Sequence, residues 1–118
     1  MILEADANHL LPLPAATLHI LLALADEPRH GYAVIRDVEF RTNGELRLSA
    51  GTLYRSIARM VEQGLIEEVT SRRMRPDDER RRYYRITDFG TAVARAELRR
   101  LDQLVRSGRQ RGLRPANS

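Results

Sequence analysis

The chain contains no cysteine and no tryptophan, and all 20 of its basic residues are arginine. The lack of cysteine excludes disulfides, thiolate metal ligands and a cysteine nucleophile. With only two Phe and no Trp, a core has to be assembled from Leu, Ile, Val and Ala. No stretch approaches the ~20 apolar residues that span a membrane. The opening MILEADANHL carries acids where a secretory signal needs a basic start. A cytoplasmic location with no membrane partner is therefore expected. Gly-rich phosphate loops, carboxylate dyads and nucleophile elbows are all missing. His9, His19 and His30 are too scattered in sequence to form a recognisable metal motif. These absences argue against an enzyme and call for no cofactor, metal or catalytic residue.

What remains is a chain of 118 residues, 42% hydrophobic, with a net charge of +4. That length suits one domain with a modest core. The positive balance favours a polyanionic partner. Guanidinium groups suit bidentate contacts to phosphates and bases, although a GC-rich genome produces the same arginine bias.

The most informative segment is SAGTLYRSIARMVEQGLI, residues 49–66. Ser49 is a good N-cap, since its hydroxyl can accept from an unpaired N–H of the first turn. Leu53, Ile57, Met60 and Val61 recur at helical spacing and predict one apolar face. Gly64 can take the left-handed conformation that closes a helix. At about 100° per residue, Thr52, Arg55 and Arg59 fall on the opposite side, with Tyr54 and Ser56 at its edges. Hydroxyls and arginines on one helix face are what a helix reading base edges requires.

Two strand patterns follow, LIEEVT at 65–70 and RRYYRIT at 81–87, the second rich in aromatic and β-branched residues. Between them SRRMRPDDER holds Arg72, Arg73, Arg75 and Arg80, with Pro76, Asp77 and Asp78 as turn formers. Helix, strand, basic hairpin, strand is the order of a winged helix-turn-helix. Such a wing can follow the phosphate backbone or place an arginine in a minor groove. Each feature also has a plainer reading: arginines on a solvated helix face, and a charged loop whose acids nearly balance its bases.

Upstream, a helix is predicted from near Pro14 to before Pro28, with Leu18, Leu21, Leu22 and Ala25 as its stripe. A second follows with Tyr32, Ile35 and Val38 inward. Tyr32, Tyr83 and Tyr84 all read as core or half-buried residues. Thr42-Asn43-Gly44 reads as a turn. The alternation over 45–48 predicts a short strand pairing with the wing sheet. Downstream, Thr87 caps a helix over 88–107 whose stripe is Ala94, Leu98, Leu101 and Val105, with Leu104 beside it. Its distal half would project beyond the small domain, which favours pairing with a second copy. Residues 108–118, polar and basic, read as a disordered tail, and residues 1–13 as a partly flexible arm. The fold class is thus mainly α with a small β-sheet: a winged helix-turn-helix over 14–87 plus a long C-terminal dimerisation helix.

Several short motifs occur in a telling order. They are His30-Gly31-Tyr32, Leu48-Ser49-Ala50-Gly51-Thr52-Leu53-Tyr54, Gly64-Leu65-Ile66, and Arg82-Tyr83-Tyr84-Arg85-Ile86-Thr87 followed by Gly90. In these the chain resembles the PadR family of transcriptional regulators, in its short subclass with one C-terminal dimerisation helix. The likeness covers roughly residues 14–106. It implies a homodimeric repressor on a palindromic double-stranded DNA operator near its own genes. It adds Gly51 to the residues expected at the DNA, and places the hairpin tip there too. Some relatives respond to flat aromatic compounds. Those that hold flat drugs between the dimer helices commonly use tryptophan, which this chain lacks. A small aromatic effector, where one acts, is expected at the junction of the reading domain and the last helix, with Phe89 lining the pocket; simple packing against the first helix is the plainer reading of that residue. The alternative function is a winged helix that binds protein instead of specific DNA, a reading kept open by Glu67, Glu68 and the acidic run 77–79.

Overall fold

The structure, a computed structural model, describes residues 6–69 and 82–114. Arg72, Arg73, Arg75 and the rest of the expected hairpin tip lie outside the described residues. The elements in order are α1 (Ala15–Leu24), β1 (Arg29–His30), α2 (Gly31–Arg41), α3 (Ala50–Glu62), β2 (Ile66–Val69), β3 (Tyr83–Ile86) and α4 (Asp88–Gln110). Helices α1, α2 and α3 pack on one another, and a three-stranded antiparallel sheet of order β1-β3-β2 lies beside them. The fold is a winged helix-turn-helix extended by one long helix.

Helix α1 begins directly after Pro14 and buries Thr17, Ile20, Leu21, Ala23 and Leu24. The predicted stripe is therefore rotated: Leu18 and Leu22 are half-buried and Ala25 is exposed. Nearly every residue of AATLHILLAL is apolar or small, so its periodicity does not single out a face. In α2 the inward residues are Val34 and Val38, whereas Tyr32 is 64% exposed. The Arg36 guanidinium lies 5.7 Å above the Tyr32 ring, so the tyrosine packs with surface charge and not in the core. The turn after α2 is as predicted, with Asn43 and Gly44 at positive φ.

Residues 45–48 do not form a strand. The Leu46 N–H is taken by the Thr42 hydroxyl at 3.1 Å. The third strand is β1, which pairs Arg29 with Tyr84 and His30 with Tyr83. A two-residue strand is too short to leave an alternating pattern. His30 also caps α2, its Nδ1 accepting the Ala33 N–H. One residue thus ties the sheet to the second helix of the reading unit.

Helix α3 is capped by Ser49, whose Oγ accepts the Thr52 N–H at 3.1 Å. It buries Leu53, Ile57 and Met60. Val61, predicted inward, is exposed. The C-terminus closes through Gly64 at φ 76°, with bonds from Gly64 N–H to Val61 O and from Leu65 N–H to Met60 O. This double closure satisfies two end carbonyls and turns the chain directly into β2. Strands β2 and β3 pair Ile66 with Ile86 and Glu67 with Arg85.

The start of α4 is locked to the end of α3. Thr87 caps α4 by accepting the Gly90 N–H, while its hydroxyl contacts the carbonyls of Gly64 and Leu65. The helix then runs 23 residues to Gln110, about 34 Å at 1.5 Å per residue. It continues past Gly108, where the sequence suggested a tail, and closes through Gly112 with a Leu113 N–H to Gly108 O bond.

From residue 6 onward the N-terminal segment packs on the domain. Residues 6–8 make a helical turn in which Ala7 is fully buried, and Leu10, Leu11 and Leu13 lie against the core. Its anchor is Glu97, which sits on the inward face of α4 with its side chain 2% exposed. One carboxylate oxygen accepts the Leu13 N–H at 2.7 Å and the other accepts from Arg100. The Arg100 bond and the Leu13 N–H hold the Glu97 carboxyl below its ordinary value against the opposing effect of burial. A depressed carboxylate stabilises the fold above its unfolded value, near 4.5, and that contribution disappears as pH falls below it. Wild type should therefore melt above Glu97→Gln near pH 7, with the gap closing as pH drops below 4.5. Melting curves across pH check this; a constant gap would refute the ionic anchor.

Candidate nucleic-acid interface

The apolar face of α3 is spent on the core, so its other faces are defined by what they meet. Gly51, Arg55 and Arg59 point to solvent, Thr52 and Ser56 are half-buried on one flank, and Tyr54 is exposed on the other. Ser49 has a double task. Besides capping the helix, its hydroxyl is 3.0 Å from the Thr52 hydroxyl, and Arg55 Nη2 reaches that same oxygen at 3.5 Å. The last contact is too long to restrain a guanidinium firmly. Arg55 is therefore held near the helix N-terminus yet free to turn outward.

Gly51 stands out because nothing in the chain requires it. A Cβ there would meet no atom within 4 Å, and its φ is not positive. Glycine in a helix costs roughly 0.5–1 kcal/mol relative to alanine. Gly51 is thus an exposed helix position where the described fold would accept alanine but carries glycine. Gly31 is the opposite case: a Cβ there would lie 2.8 Å from the Tyr54 hydroxyl and 3.1 Å from Leu53. The tyrosine therefore lies along the start of α2, where α2 and α3 meet.

Arg59 is set apart from Arg55. It lines a cleft of about 300 Å³ with His9, Pro12, Leu13, Thr17 and Gln63, on the side of the N-terminal segment. The structure thus brings Ser49, Gly51, Thr52 and Arg55 together over the first two turns of α3, and places Arg59 one turn further on, beside the arm.

The opposite flank of α3 faces the sheet across a cleft of about 410 Å³ lined by Tyr54, Ile57, Ala58, Val61, Glu68, Arg82 and Tyr84. Glu68 stands across from Tyr84 on the paired strands. Arg82 is 3.9 Å from the Glu68 carboxylate. Burial pushes the Tyr84 phenol above its ordinary value, Glu68 pushes the same way, and Arg82 pulls it back through its charge and a hydrogen bond to the phenol oxygen. The sequence reading passed over Arg82 as a site residue because it stood in a motif read as a strand. Its signal was the parity that puts residues 82 and 84 on one face of the strand.

On α4, Ala94 is buried in the chain's own core, while Leu98, Leu104 and Val105 are exposed and Leu101 is half-buried. A groove of about 670 Å³ runs between the N-terminal segment and this helix, floored by Leu11, Ala96 and Leu104 and edged by Arg99, Arg100 and Gln103. Phe89 is half-buried against the core. Among the described residues no group of three or more His, Asp or Glu is placed to hold a metal ion, and no helix is long and apolar enough to cross a membrane.

A winged helix-turn-helix with an arginine-bearing third helix defines a class of transcription regulators. Residues 20–96 match the model of the transcriptional regulator PadR-like family. The chain belongs to that family, whose members are transcription regulators and not enzymes. It is 32% identical over 73 residues to an uncharacterized protein of Lysinibacillus sphaericus, the match covering 62% of this chain and 65% of that relative's length. The crystal structure of a PadR family transcription regulator from Clostridium difficile superposes with a TM-score of 0.68 at 21% identity, covering 82% of this chain and 97% of that one. Bacillus subtilis PadR in complex with operator DNA gives a TM-score of 0.59 at 16% identity, covering 74% of this chain and 48% of that one.

Proposed function

We propose that this chain is a homodimeric repressor that reads a palindromic operator through the first turn of α3 and controls neighbouring genes. The observation that carries the reading is Gly51, a helix glycine that the fold does not need, beside an exposed Arg55 and the Thr52 hydroxyl. A Bacillus subtilis regulator of the same fold is known in complex with operator DNA, which supports the assignment of the partner. The exposed Leu98, Leu104 and Val105 with Leu101 supply the dimer seam. Two copies joined there would place their α3 helices in successive major grooves, about 34–36 Å apart. Arg72, Arg73 and Arg75 add phosphate contacts, and Tyr54, Ser56 and Arg59 flank the reading turn. A small aromatic effector would act from the groove between the N-terminal segment and α4. Its occupancy would favour one spacing of the reading helices over another, which is how a ligand releases DNA.

Titration against the chain's own upstream DNA and against random duplex tests the reading. Arg55→Ala should cost roughly 1–3 kcal/mol at one operator position and relax preference there. Gly51→Ala should move two quantities in opposite directions: stability rises by up to about 1 kcal/mol, while operator affinity falls. Equal losses on operator and random DNA for Arg55→Ala would assign that residue to phosphate. A Gly51→Ala variant that binds normally would remove the argument for close approach of DNA at that position.

A further inference from the structure

The seam between α3 and the sheet holds chemistry that the reading turn does not use. Arg82 precedes β3 and shares its inner face with Tyr84, on the cleft shared with Tyr54 and Glu68. Its side chain is 73% exposed. Among the described residues its one ion pair is the 3.9 Å approach to Glu68, too long for a hydrogen bond, and its other partner is the Tyr84 hydroxyl. The other cross-strand pair, Arg85 with Glu67, lies on the opposite face of the sheet and closes to 2.5 Å. The Glu68–Arg82 ion pair is thus the looser of the two, and it stands beside α3. Exposed pairs of this kind contribute little to stability, so parting Arg82 from Glu68 costs the fold little. The Arg82 guanidinium shares the cleft with Tyr54, and its positive charge suits an anionic oxygen. Glu68 occupies its edge with the same charge a phosphate would bring.

We propose that Arg82 is a contact to the backbone phosphate of duplex DNA at the seam of α3 and the sheet, and that Glu68 restrains it in the free protein and thereby limits affinity. The inference rests on the DNA-binding reading above. In the free protein Arg82 leans on Glu68, and on the operator it turns to a phosphate while Glu68 is left at the rim. The contact reads no base, so it adds affinity to any sequence and carries a salt dependence.

The test uses the full chain and a duplex that wild type binds, with affinity measured at several salt concentrations. Arg82→Gln should weaken binding to operator and random duplex by the same factor and reduce the slope of log K against log salt by about 0.9. Glu68→Gln should tighten binding several-fold, and that gain should vanish in the double variant. Glu67→Gln is the control, because it removes the same charge from the other face of the sheet. An equal gain from Glu67→Gln, or a gain from Glu68→Gln that survives without Arg82, would show a general charge effect and overturn the proposal. So would an unchanged salt slope in Arg82→Gln while Arg55→Ala still loses operator binding; the DNA reading would then stand without this contact. A wild type that binds no duplex overturns both. Melting curves of the variants confirm that the surface changes leave the fold intact.

Discussion

Gly90→Ala should destabilise the fold by about 3 kcal/mol or more, the upper range of overpacking costs. An alanine Cβ there would sit 2.0 Å from the Leu65 carbonyl oxygen and 2.9 Å from its carbon. The obstacle is backbone, not a side chain that could swing aside. That backbone is pinned by the Leu65 N–H to Met60 O bond and by the Thr87 N–H, which donates to the Leu65 carbonyl at 3.0 Å. Accommodating a methyl group would open the junction that closes α3 and starts α4. A melting midpoint lower by roughly 10 °C or more follows for a domain of this size. A midpoint within a few degrees of wild type would mean that the junction yields easily. The same substitution at Gly51, with open space around it, should move stability the other way.

Leu101→Arg should convert a dimer to a monomer and remove most operator affinity. Leu101 is half-buried on α4 between exposed Leu98 and Leu104, and the core that holds the domain together lies on other residues. The fold should survive the change while an apolar seam would not, since a buried unpaired charge is costly. Two linked reading heads gain about 10²–10⁴ in avidity over one, so the loss on a two-half-site operator should be of that order. Light scattering reads the mass and a gel shift reads the affinity. A variant that stays dimeric would place the seam elsewhere on the molecule.

Helix α3 and its apolar face were legible because their signals are local. Ser49, Gly64 and the 53-57-60 spacing each act within one helix. Thr87 as a cap was legible for the same reason. What escaped was set by partners distant in sequence. Glu97 lies in the middle of an apolar stripe and reads as an interruption, but its partner is the Leu13 N–H, 84 positions away. That one bond turns the expected arm into part of the core and takes up the inward face of α4 near Ala94. The strand β1 was missed because two residues carry no period, and the face of α1 because uniform hydrophobicity does not choose one. Val61 and Tyr32 were assigned inward on spacing alone, and tertiary packing left both at the surface.

The clasp made by Thr87 and Gly90 has a mechanical consequence. Because the end of α3 and the start of α4 are joined by backbone bonds and close packing, the two helices act as one bent arm with little play at the elbow. A rod about 34 Å long that tilts by about 10° shifts its far end by about 6 Å. That is a sizeable fraction of the 34–36 Å interval that successive major grooves demand. Small changes in the angle at which two such arms cross would therefore be magnified at their reading ends, with no need for either domain to deform.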